Sequence, residues 1–173
     1  MHDRKTALIS STARDLPEHR KEAMDACLRQ GMFPTMMEHL PASDDEAISA
    51  SLEMVDHADI YVGIFAHRYG YVPAGHAISV TEMEYNRAVE RKIPRLIFVM
   101  DKDHPITIDQ VELGEGAARL EAFKKRLLAD NIVNFFKSPA DLRALVINSL
   151  SQLREPDLTA FHFVSDIPAP PEA

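Results

Sequence analysis

Five short apolar runs, each separated from the next by a segment of helical character, constrain this chain more than any other feature. The runs are "TALIS" (6–10), "FPTMM" (33–37), "DIYVGIF" (59–65), "PRLIFVM" (94–100) and "IVNFF" (132–136). Between them lie "LPEHRKEAMDACLRQG" (16–31), "ASDDEAISASLEMVDHA" (42–58), a helix opening at "ISVTEMEYNRAVER" (78–91), and "AARLEAFKKRLLADN" (117–131). A last helix follows "SPADL", with Ser138 as cap and Pro139 at the first helical position. Strands that alternate with helices must be joined by crossovers, so they pair in parallel and are covered on both faces. The fourth run is continuous in apolar character after Arg95, as a doubly covered strand is. The pattern predicts an α/β, three-layer, flavodoxin-like fold: a five-stranded parallel sheet in the order 2-1-3-4-5.

The alternation ends at Leu153. Residues 154–173, "REPDLTAFHFVSDIPAPPEA", are rich in proline and carry no sustained period, which predicts a domain over 1–153 and a linker leading to a further domain. Charge narrows the function. Lys and Arg total 19 against 27 Asp and Glu, a net charge of -8, so the chain is a poor partner for nucleic acid phosphates or an anionic membrane surface. No run approaches the roughly 18 apolar residues of a membrane span, and the amino terminus lacks a secretory pattern, so a cytoplasmic location is expected. The single cysteine, Cys27, sits among apolar neighbours at helical spacing and is expected in the core.

In an open parallel sheet, ligands bind beyond the carboxyl ends of the strands where strand order reverses. Here that point falls between the first and third strands. The loops "SSTAR" (10–14) and "AHRYGYVPAG" (66–75) would line it, with the start of the helix that carries Glu82 and Glu84. "SVTE" (79–82) fits a capping box, which gives Glu82 a structural explanation, although "TEME" (81–84) fits the same spacing. At about 100° per residue, Glu84 falls inside the apolar arc with Val80, Tyr85, Ala88 and Val89, whereas Glu82 falls at the boundary with solvent. An inward carboxylate is costly unless it is paired or used, so Glu84 is either half of an ion pair, with Arg87, Arg68 or Arg14, or a working group. Ser10, Ser11 and Thr12 could hold a phosphate or a ribose hydroxyl, or cap the first helix. Phosphate-loop, dinucleotide, nucleophile-elbow and metal-ligand motifs are missing from the sequence, so neither a metal nor a bound cofactor is expected.

The segments "ALISSTARDLPEHR", "MMEHLPAS", "ADIYVGIFAHRYGYVP", "ISVTEMEYNRA" and "KIPRLIFV", in that order over residues 5–153, resemble the TIR-like domain, long a domain of unknown function, found at the amino termini of bacterial STAND NTPases. That family is similar to TIR domains and to nucleoside 2-deoxyribosyltransferases, which carry a glutamate on the helix after the third strand. In "EYNRAVERKIP", Glu84, Ala88 and Pro94 match the transferase pattern and Asn86 stands where it has glycine. The resemblance implies cleavage of the N-glycosidic bond of NAD+ or a related nucleotide, with NAD as substrate rather than cofactor, in bacterial defence or cell-death signalling. It also implies self-association of the active form and an attached NTPase module. Glu84 is then catalytic; Ser10, Ser11 and Thr12 border the ribose or phosphates, Arg14 and Arg68 face the pyrophosphate, Tyr69 either stacks on a ring or anchors its loop, and Glu82 stands beside the substrate. Arg20, inside the first helix, is assigned to a structural ion pair. Two other activities remain open: a non-catalytic adaptor for the NTPase, and base exchange with Glu84 as nucleophile.

Overall fold

A computed structural model describes residues 4–38 and 43–153; the linker expected at 154–173 lies outside the described residues. The strands are β1 (Thr6–Ser11), β2 (Phe33–Thr35), β3 (Ile60–Phe65), β4 (Arg95–Met100) and β5 (Val133–Phe136). All pair in parallel, in the order β2-β1-β3-β4-β5. The helices are α1 (Pro17–Arg29), α2 (Asp44–Asp56), α3 (Val80–Glu90), α4 (Glu115–Asp130) and α5 (Pro139–Gln152). The three-layer flavodoxin-like fold is therefore as the alternation predicts. The second and fifth strands are shorter than their apolar runs: Met36 and Met37 leave the sheet, and Ile132 is turned out to solvent. A short 3-10 turn at Ile108–Gln110, closed by the Thr107 amide on the Gln110 side chain, occupies the polar connection before α4.

Local chemistry sets the helix ends. Ser43, Ser79 and Ser138 each accept from the backbone amide three residues on, satisfying a donor that the helix cannot. Gly31 ends α1 at φ 67°, with Gly31 and Met32 amides on the carbonyls of Leu28 and Cys27, the paired bonds of a Schellman motif. The same motif ends α3, where Lys92 takes the left-handed position at φ 56°. Lacking glycine's freedom, Lys92 is strained there.

Two apolar clusters flank the sheet. One joins Ile9, Val62, Ile64 and Phe98 to residues of α1 and α5, including Cys27, whose thiol burial pushes up to about 12. The other joins Leu8, Tyr61, Phe65 and Ile97 to Val55, Tyr85, Phe123 and Leu127 of α2, α3 and α4. On that second face Ser10 of β1 is in register with Gly63 of β3. A Cβ at Gly63 would stand 2.7 Å from the Phe65 ring and 2.8 Å from that of Tyr61, so only glycine fits between them. The two sheet edges differ. β2 is three residues long and contains Pro34, which has no amide to offer, while β5 carries a half-exposed Phe135.

Candidate functional site

Glu84 lies in the first turns of α3 and is 6% exposed. Ser10, the fifth residue of β1, donates its hydroxyl to Oε2, and Ser51 of α2 donates to Oε1 at 2.5 Å. None of the ion pairs open to Glu84 in the sequence forms: Arg87 binds Asp56 and Glu90, Arg68 donates to the Asp109 carbonyl at 3.0 Å, and Arg14 is exposed. Burial pushes the Glu84 carboxyl above the usual range, against the bonds from Ser10 and Ser51 and the charge of Arg20. This buried acid is held by hydroxyl groups, and among the described residues no cation is bonded to it.

Glu82 is also buried, at 8% exposure, which corrects the expectation that it sits at the solvent boundary. The helical arc places it at the edge of α3, but Tyr69 and α4 cover that edge. The Tyr69 hydroxyl donates to Oε2 at 2.5 Å, and Arg126 of α4 approaches Oε1 at 3.2 Å. The capping box is half formed: Ser79 Oγ accepts from the Glu82 amide at 3.2 Å, but the Ser79 amide donates to the Tyr69 hydroxyl instead of to Glu82. Tyr69 is thus inserted between cap and glutamate, buried by its own contacts. Asn86 accepts from Arg126 at 2.6 Å, and Arg126 stacks over Tyr85 and Phe123, so the departure from glycine joins α3 to α4.

The loop after β1 does not cap α1, which begins at Pro17 without a side-chain cap. Thr12 donates to Asp15 Oδ1 at 2.5 Å, and the other oxygen of this buried Asp15 has no partner among the described residues. Burial raises the Asp15 carboxyl. Ser11 receives Arg20, whose Nη1 donates to the Ser11 hydroxyl at 3.0 Å and to its carbonyl at 3.1 Å, while Nη2 reaches the Met37 carbonyl at 2.6 Å. Among the described residues Arg20 therefore does not form the structural ion pair assigned to it. It spans the carboxyl ends of β1 and β2, and its charge reaches Glu84.

The fold thus gathers Glu84, Ser10, Ser11 and Arg20 at the reversal of strand order, with Thr12 close by, Glu82 two residues earlier on α3 and Tyr69 on the loop before it. Arg14 and Arg68 are not brought to the carboxylate. Sequence reasoning missed Ser51, Asp15 and Tyr61, whose hydroxyl is fully buried near Ser10 and has no hydrogen bond of normal geometry among the described residues. The signal for Ser51 was present: it falls midway between Ala47 and Val55, four residues from each, in the buried stripe of α2. Two surface cavities, one lined by Thr6, Thr35, Ala50, Glu53, Met54 and His57 and the other by Arg95, Asn131, Ile132 and neighbours, do not include Glu84. Among the described residues no cluster of His, Cys, Asp or Glu is placed to hold a metal ion, and no helix is long and apolar enough to cross a membrane.

These features define a doubly wound α/β domain with a buried acid at its topological switch point. The chain belongs to the family described as Domain of unknown function (DUF4062), whose model matches residues 6–151. Among solved structures it is similar to a 2-desoxiribosyltransferase from Leishmania mexicana, with 13% identity and a TM-score of 0.44 over 74% of this chain and 99% of that one. No curated protein matches the sequence significantly.

Proposed function

We propose that the domain is a TIR-like effector module that breaks the N-glycosidic bond of NAD+ or a related nucleotide, with Glu84 as the catalytic carboxylate. The observation that carries this reading is a carboxylate buried at the switch point whose hydrogen bonds, among the described residues, come from hydroxyls and not from a cation. A structural acid is ordinarily bonded directly to a cation, whereas Glu84 is bonded to hydroxyls and feels Arg20 only through space, so its oxygens have no ion-pair partner among the described residues and can face another positive centre. Departure of nicotinamide supplies such a centre. As the bond from C1′ to the ring nitrogen lengthens, positive charge develops on the ribose, and an adjacent carboxylate stabilises it. Water then adds to C1′, and its proton is released with nicotinamide and the ADP-ribose product. The motif resemblance supports the same residue and extends the proposal to bacterial defence or cell-death signalling, with an attached NTPase module and self-association of the active form.

A second reading, a non-catalytic adaptor, is favoured by one observation: at 6% exposure Glu84 is closed to a ribose in this conformation, so catalysis requires α2 or the loop after β3 to move. Purified protein at low and high concentration, incubated with NAD+ and a panel of nucleosides and followed by chromatography, separates the readings. Catalysis predicts product that disappears in Glu84→Gln with the fold intact. No turnover in any arm supports the adaptor, and a glycosyl adduct on Glu84 in mass spectra assigns base exchange instead.

A further inference from the structure

Ser51 is fully buried on α2, an element that sequence reasoning left outside the site. Among the described residues its hydroxyl has one partner, Glu84 Oε1, while Ser10 holds Oε2 from the sheet. The carboxylate is therefore gripped from both sides, by a strand and by a helix. α2 is itself tied to α3 by the bidentate pair of Arg87 on Asp56, at 2.7 and 2.9 Å, so the Ser51 hydroxyl has a fixed approach. At its other end, Asp44 accepts from the Tyr71 hydroxyl and from the Ala74 amide at 2.9 Å, joining α2 to the loop after β3.

We infer that Ser51 is a positioning residue, which orients the Glu84 carboxylate and holds it in the charged form that glycosidic cleavage needs. The inference rests on the catalytic reading of Glu84. A hydroxyl donor favours the ionised over the protonated acid, because the neutral acid is the weaker acceptor. The groups facing Glu84 are Ser10 of β1, Arg20 of α1, Tyr61 of β3 and Ser51 of α2. Arg20 and Tyr61 do not change charge between pH 4 and about 9. Over that range, a pH-dependent effect of removing Ser51 reports on Glu84.

The test uses Ser51→Ala, Glu84→Gln and the double variant, with melting temperature measured from pH 4 to about 9 and NAD+ cleavage followed over the same range. Ser51→Ala is expected to lower kcat about tenfold or more, the usual size of one charge-assisted hydrogen bond, and to move the acid limb of the profile to higher pH. Its cost in melting temperature is expected to grow as pH rises through the Glu84 titration and to lose that dependence in the Glu84→Gln background. A cost independent of pH and equal in both backgrounds would overturn the inference, leaving Ser51 a packing residue. If no variant turns over NAD+ but the melting temperatures show the coupling, the catalytic reading has failed while the grip on Glu84 stands. Should Ser51→Ala not fold, Ser51→Cys keeps the volume with a weaker donor, and the same two outcomes decide.

Discussion

Replacing Glu84 by glutamine should stabilise the domain near neutral pH while abolishing any glycosidic cleavage. Glutamine has the shape of the acid: its carbonyl oxygen accepts from one serine, and its amide donates to the other, whose hydroxyl rotates to accept. What is lost is charge assistance, in which hydrogen bonds to charged groups contribute about 1.5–3 kcal/mol each. What is removed is the desolvation of a buried carboxylate, several kcal/mol. Burial already outweighs Ser10, Ser51 and Arg20 together, since the Glu84 carboxyl is pushed up on balance. The variant should therefore gain about 1 kcal/mol at pH 8, or about 2–4 °C in Tm for a chain of this size. The sign of the pH effect follows by linkage. A raised carboxyl binds more protons in the folded than in the unfolded state, so native stability falls as pH rises from the unfolded value through the folded one. The advantage of glutamine is largest above that window and shrinks toward pH 4. Scanning calorimetry at pH 8 and at pH 5 measures it. A fall in Tm of several degrees at pH 8, or a gain that grows on acidification, would refute the argument and make the anion itself a structural requirement.

Other substitutions test the surrounding framework. Gly63→Ala puts a methyl against the Tyr61 and Phe65 rings and should cost about 1–3 kcal/mol by denaturant titration, with apolar packing near Ser10 disturbed. Lys92→Gly relieves the left-handed residue that ends α3 and should add about 0.5–1 kcal/mol by the same assay. His104 Nδ1 donates to the Pro105 carbonyl at 2.7 Å, and its Nε2 lies 2.9 Å from His19 Nε2. Burial and His104 lower His19 to about 4, so His19 stays neutral when folded and its contribution is lost as pH falls from 6.5 toward 4. His19→Phe should flatten that part of the curve of Tm against pH, and an unchanged slope would contradict the assignment.

The architecture was legible because parallel strands covered on both faces must be apolar in runs, and β3 and β4 are. Glu84 was legible because helical periodicity turns it inward with Ala88. Glu82 was misplaced because a helix arc knows only its own element: Tyr69 and Arg126, which bury it, come from 13 residues before it and from the next helix. Ser51 escaped notice for a related reason, a small polar residue in an apolar stripe being ordinarily neutral filling. Arg20 was read through its neighbours in sequence, although its partners are carbonyls and a hydroxyl at strand ends. Local pattern fixes which way a side chain faces, and tertiary contact decides what it meets.

The unlike borders of the sheet limit how copies could zip together by main-chain pairing. Pro34 leaves the β2 side a donor short, so strand addition has its better footing along β5. Two domains joined β5 to β5 around a dyad would consume that footing in both, and growth would stop at a pair; an open-ended filament would have to be built from helices and loops.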